Sequence, residues 1–217
     1  MGVSAFSGAS SVIKPGVVTT ATRPSSPFVG QLIYDTTVSQ VLAWNGSAWV
    51  VQSAGLVFIT SASPSSVASV SVNNCFTSTY TNYRVLFSPT AISAAADVTM
   101  RLRAGGTDTN TNYKYQTTES IGGTLYPTAD IVGTDEWYVG RIDTPIAMAM
   151  SADIYNPQNT NKTGLNCMSV FLTSSTITTA QTISGFQNTT TQFDGFTLIF
   201  GGVSFSGTIR VYGYANS

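Results

Sequence analysis

Hydrophobic and polar positions alternate along most of this chain with a period of two. In 97–103 (DVTMRLR), Val98, Met100 and Leu102 fall on one side, with Thr99, Arg101 and Arg103 on the other. In 146–154 (IAMAMSADI), Ile146, Met148, Met150 and Ile154 share a face. Side chains two apart point the same way only in an extended strand, so both segments predict half-buried strands. Residues 67–72, 82–88, 137–142, 166–173, 176–186, 195–200 and 207–214 read alike. Turn chemistry separates them: Gly105-Gly106, Gly122-Gly123, Asn156-Pro157, Asp194-Gly195 and Gly201-Gly202. The one helix-friendly run, Ala91 to Ala96, is too short to nucleate a helix. Nine or ten short strands without helical crossovers predict an all-β, antiparallel, jelly-roll-like β-sandwich over 53–217.

The first fifty residues differ in character. Residues 1–22 are small, polar and rich in Val and Thr, which predicts an extended N-terminal arm. Residues 23–52 predict a three-stranded meander, with strands over 28–34, Val41 to Trp44 and Trp49 to Gln52. Asn45-Gly46 is the signature of a tight hairpin turn in which both residues take positive φ. Strands this short bury little surface alone. The meander should therefore pack against copies of itself, the following domain or another protein. Ser61 to Ser66 (SASPSS) reads either as a hinge or as a loop inside the sandwich.

Composition narrows the class of protein. Only 9% of residues are charged and 42% are hydrophobic, against about 25% charged in ordinary globular domains. With 11 Phe, 10 Tyr and 3 Trp the chain folds, and Ser, Thr, Asn, Gln and Gly make its surface. Neutral polar surfaces suit extracellular and virion proteins, where pairing to neighbours stands in for solubility by charge. The net charge is -1, and the densest basic pair is Arg101 with Arg103. Phosphate binding needs clustered cations, so no nucleic-acid partner is expected. No apolar stretch is long enough for a membrane helix, and residues 1–16 lack the pattern of a secretion signal. Assembly in a host cytoplasm fits these features. Cys75 and Cys167 each sit in an apolar strand pattern and read as buried free thiols.

Residues 23–52 carry a resemblance. The string RPSSPFVGQLIYDTTVSQVLAWNGSAWV is similar to a short module of bacteriophage tail-fibre and appendage proteins. Its outline is R-P-x-x-P-x-x-G-Q-x-I-Y, a polar gap, then W-N-G-S-A-W. Here it is carried by Arg23, Pro24, Pro27, Gly30, Gln31, Ile33, Tyr34, Trp44, Asn45, Gly46 and Trp49. The segments YTNYRVLFS, RLRAGGTDTNTNYKYQ and GTIRVYGYANS resemble the β-sandwich part of such proteins more loosely. The resemblance implies a structural subunit of the virion, oligomeric and often a homotrimer, that attaches through its N-terminal segment to other virion proteins. It implies no catalytic residues and no cofactor. A host-receptor (glycan) binding module and a capsid decoration or head-fibre protein are its alternatives.

Chemistry-bearing constellations are sparse. The chain has no histidine, which removes the commonest general base and most zinc sites. No G-x-S-x-G elbow occurs. Asp135-Glu136 is the only adjacent acidic pair, and on a strand its members would point to opposite faces. Asp108, Asn110, Asn112, Gln116 and Glu119 match a calcium-loop spacing, but Tyr113 stands where the loop needs glycine. Asn/Thr repetition at a hairpin turn explains the same residues, so no metal is expected. Tyr113, Tyr115, Tyr126, Trp137, Tyr138 and Tyr155 are candidate glycan contacts, or else core and inter-subunit packing.

Overall fold

The computed structural model describes residues 15–51, 55–127, 130–144, 148–173 and 177–215. Residues 1–14 of the expected arm, Gln52 at the end of the meander, and positions 146 and 176 of two expected strands lie outside the described residues. The chain forms two compact units, Met1–Ala54 and Gly55–Ser217.

The first unit is a four-stranded sheet in the order of the chain: β1 (Gly16–Val18), β2 (Leu32–Asp35), β3 (Gln40–Trp44) and β4 (Trp49–Val51). Residues 16–18 of the expected extended arm are therefore paired into the sheet. β1 pairs in parallel with β2, Gly16 opposite Ile33 and Val18 opposite Asp35. The Val18 carbonyl also accepts bonds from the backbone N–H and hydroxyl of Thr36. A 3-10 turn at Thr20–Thr22 then brings Arg23 back over the sheet. The expected strand at 28–34 is shorter, because Phe28 to Gln31 close a turn.

The second unit is a sandwich of two sheets. Its strands are β5 (Leu56–Ala62), β6 (Ser69–Val72), β7 (Asn82–Ile92), β8 (Ala96–Ala104), β9 (Thr107–Asp108), β10 (Tyr113–Ile121), β11 (Thr124–Pro127) and β12 (Ile131–Thr134). They continue with β13 (Trp137–Ile142), β14 (Met148–Tyr155), β15 (Thr163–Thr173), β16 (Ile177–Gln187), β17 (Gly195–Ile199) and β18 (Phe205–Tyr214). The larger sheet has nine strands, running β11-β10-β16-β15-β14-β7-β18-β5 with β12 also on β10. The smaller runs β13-β8-β17-β6 with β9 on β8. All pairings in both sheets are antiparallel, and the chain changes sheet at β5→β6, β6→β7, β7→β8, β9→β10, β12→β13, β13→β14, β16→β17 and β17→β18. The fold is all-β, as the two-residue period requires.

The sheets meet through the residues that alternation marked. Val98, Met100 and Leu102 of β8 face Tyr83, Val85 and Phe87 of β7, Ile154 of β14 and Val211 of β18 in one buried cluster. Tyr113 of the large sheet and Trp137 of the small sheet meet edge to face with centroids 5.1 Å apart. Each such ring taken out of water contributes about 2–3 kcal/mol. The Gly122-Gly123 hairpin joins β10 to β11 with both glycines at positive φ, 54° and 91°, which suits the two-residue loop between Ile121 and Thr124. Ser61 and Ala62 complete β5, and the stretch after them is held inside the sandwich unit. There Gly207 N–H donates to the Pro64 carbonyl and Ser66 N–H to the Ser206 hydroxyl. It is a loop, not a hinge.

Candidate attachment module and surfaces

In the small sheet, the motif residues build one local framework around a carboxylate that the motif outline leaves out. Asp35 ends β2 with its side chain fully buried. It accepts bonds from Arg23 Nε at 2.6 Å, the Thr20 hydroxyl at 3.0 Å and the Thr37 backbone N–H at 2.8 Å. Burial pushes its pKa up, but the bonds from Arg23, Thr37 and Thr20 outweigh burial and hold it down at about 2. The first residue of the motif is thereby tied to the residue that follows its Ile-Tyr pair.

The other end of the sheet is fixed by the turn before β2. Gly30 N–H donates to the Trp44 carbonyl at 2.8 Å, and Trp44 N–H donates to the Gln31 carbonyl at 3.0 Å. The Gln31 side-chain oxygen accepts the Phe28 N–H at 3.3 Å, closing the turn. Pro24 and Pro27 are half-buried on the approach to it. Ile33 is buried between its neighbours, while Tyr34 lies half-buried on the opposite face. Trp44 and Trp49 oppose each other across β3 and β4 with ring centroids 5.6 Å apart.

The loop between them departs from the expected hairpin. It spans residues 45–48, and Gly46 (φ 104°) but not Asn45 takes positive φ. Asn45 works through its side chain: its Oδ1 accepts the N–H groups of Ser47 and Ala48 at 2.9 and 2.8 Å. Asn45 serves here as a side-chain acceptor and not as a left-handed residue.

The candidate calcium ligands are not brought together. Asp108 pairs with Arg103 and accepts the Thr197 hydroxyl at 2.7 Å. Asn112 takes a left-handed conformation (φ 66°) in the turn that follows Asn110. Gln116 and Glu119 lie on β10, with Glu119 accepting from Gln181 at 2.8 Å. Tyr113, in place of the loop glycine, donates its hydroxyl to the Thr109 carbonyl at 2.9 Å and accepts the Leu102 N–H at 2.8 Å. The loop is thus anchored by a buried phenol, whose pKa burial pushes up. Among the described residues no group of three or more His, Cys, Asp or Glu side chains is placed to hold a metal ion.

The aromatic candidates separate sharply. Tyr113 and Trp137 are fully buried in the core and cannot meet a glycan, which corrects that expectation for both. Tyr115, Tyr138 and Tyr155 are half-buried, and Tyr126 is exposed on β11. Burial pushes the Tyr138 hydroxyl up to about 12, against an opposing hydrogen bond with Gln181. Asp135 and Glu136 do not point apart: they lie in a bend before β13, both against Arg101, at 2.7 and 3.1 Å. The two carboxylates share one guanidinium. Cys75 and Cys167 are buried free thiols, and burial pushes both up to about 12.

Two features escaped the sequence reading. On the outer face of the large sheet, Arg84 grips Asp153 with two bonds of 2.7 Å, and the Tyr214 hydroxyl adds a third at 2.6 Å. Beside it an open trough of about 630 Å³ crosses six strands, with Leu86, Leu125, Ala149, Met168, Val170 and Ala180 in its lining. Met168 and Leu125 are 65% and 68% exposed there. Cross-strand register, which a sequence does not print, aligns Leu86, Ser151, Met168, Thr182 and Thr118 in one row.

Compared with protein families, with curated proteins and with solved structures, the chain matches none of them.

Proposed function

We propose that this chain is a structural subunit of a bacteriophage particle, an oligomeric fibre or tail-appendage protein that attaches through residues 1–52 and presents a β-sandwich. The observation that carries the reading is the R-P-x-x-P-x-x-G-Q-x-I-Y…W-N-G-S-A-W string at residues 23–49. The string has a physical logic in this chain: Arg23 holds Asp35, Gly30 and Gln31 pin the turn to Trp44, and Asn45 closes the loop. The low charge adds support, since a surface of hydroxyls, amides and exposed apolar side chains suits permanent contact with neighbours. In this reading the protein works by shape and contact, with no cofactor and no chemistry of its own.

The test is location. Antibody raised against the 55–217 unit, applied to purified particles of the phage that encodes the chain, should label a peripheral appendage in electron micrographs. Particles that carry no copy of the chain, by labelling and by mass spectrometry of their proteins, overturn the reading.

A further inference from the structure

Strand register sorts the four-stranded sheet into two unlike faces. One holds Ile33, Asp35 and Leu42, with 1%, 0% and 2% exposure. The other consists of Val17, Leu32, Tyr34, Val41, Ala43 and Val50. Across the strands these form two rows, Val17–Tyr34–Val41 and Leu32–Ala43–Val50. Val17, Leu32, Val41 and Val50 are 66%, 43%, 40% and 36% exposed, so the face is apolar from edge to edge yet largely uncovered.

We infer that this face is an interface between copies of the chain, where the Val17, Leu32, Tyr34, Val41, Ala43 and Val50 surfaces of neighbouring copies pack against one another. The inference rests on the oligomeric reading above and assigns it a surface. Two observations select a further copy as the occupant. Among the described residues the sheet's own interior amounts to Ile33, Leu42, the small Ala43 and the Arg23–Asp35 pair, too little for a stable unit of strands this short. The face carries no charge, and the Tyr34 hydroxyl is its one polar side-chain group. Identical faces therefore meet without the repulsion that like charges would impose at a symmetric contact. Six residues fall short of the twenty to thirty a side of a standard interface, so the face acts with further contacts between the copies.

The test uses the full chain. Val17→Asp alters the most exposed member of the face, where a new carboxylate stays solvated in a single copy but is repelled in an assembly. Light scattering should show the mass of the variant falling to that of one chain, 22.9 kDa, under conditions where the native protein assembles. The sandwich, which has its own core, should stay folded by circular dichroism. As a second route, Val41→Cys adds an accessible thiol to a chain whose two native cysteines are buried. Mild oxidation should then give disulfide-linked pairs of chains on a non-reducing gel. Met168→Asp and Phe58→Asp, on the exposed surface of the sandwich, should leave the assembly intact. An assembled native chain whose Val17→Asp variant stays assembled, or whose Val41→Cys variant gives no cross-link, overturns this face and leaves the oligomer standing. Dissociation by Met168→Asp or Phe58→Asp with Val17→Asp still assembled moves the interface to the sandwich and also overturns it. A native chain that is monomeric overturns both.

Discussion

The Arg23 guanidinium lies 2.6 Å from the fully buried carboxylate of Asp35, and this pair ties the first residue of the N-terminal motif to the end of β2. A buried ion pair tolerates the loss of neither partner alone, because the survivor is left charged without compensation. Arg23→Met should therefore unfold the small sheet while the sandwich persists. Tryptophan fluorescence can follow it, since Trp44 and Trp49 report on the small sheet and Trp137 on the sandwich core. The variant should show the red-shifted emission of solvated indoles at temperatures where the native chain does not.

The same pair sets a pH dependence. Asp35 titrates at about 2 in the folded sheet and near 4 when unfolded. A lowered folded pKa means the unfolded state binds protons more readily, so its contribution is complete above about pH 4 and is lost as pH falls toward 2. Acid titration, followed by tryptophan emission, should melt the small sheet across that window while the sandwich persists.

Asn45→Ala and Gly46→Val should act by different routes. The first removes the acceptor for two N–H groups of the 45–48 loop, at a cost of about 1 kcal/mol. The second forces a β-branched residue to φ 104°, with its Cβ about 3.4 Å from Val29, at a cost of roughly 1–3 kcal/mol. Thermal melts monitored by tryptophan emission will rank them, and Gly46→Val should be the more damaging.

In the sandwich, Tyr113→Phe should cost about 1–3 kcal/mol, because the Leu102 N–H and the Thr109 carbonyl both lose a partner while the ring still packs on Trp137. Gly185→Ala should be equally harmful, since its Cβ would meet the Lys114 carbonyl oxygen at an impossible approach. Urea denaturation measures both.

Cys75 and Cys167 are buried, with pKa values of about 12, so neither presents a thiolate near neutral pH. A thiol reagent should find no reactive group in the native protein and two per chain in denaturant.

How much of this was legible beforehand follows from where each pattern lies. The central strands β7, β8, β14 and β18 were plain because one face of each meets the core and the other does not. β10 was read as part of a turn and metal-like spacing. Its inward positions include Thr117, buried in a polar end of the sandwich near Ser169 and Gln181, so no apolar alternation marks it. β1 and β9 are two or three residues long and exist only through their partners. The motif residues could be picked out, but Asp35, the hub of their hydrogen bonds, could not. A single acid after Ile-Tyr looks like any turn residue until Arg23 is seen to fold back on it. The apolar face of the small sheet was hidden for a related reason. Its members are scattered over four strands, and only parallel pairing of β1 with β2 places Val17 beside Tyr34.

The central claim, that this chain works as an assembled structural subunit, is tested most directly by its mass in solution. Light scattering on the purified full chain at micromolar concentration should give about three times the 22.9 kDa of a single chain. A steady 22.9 kDa across tens of micromolar would contradict it.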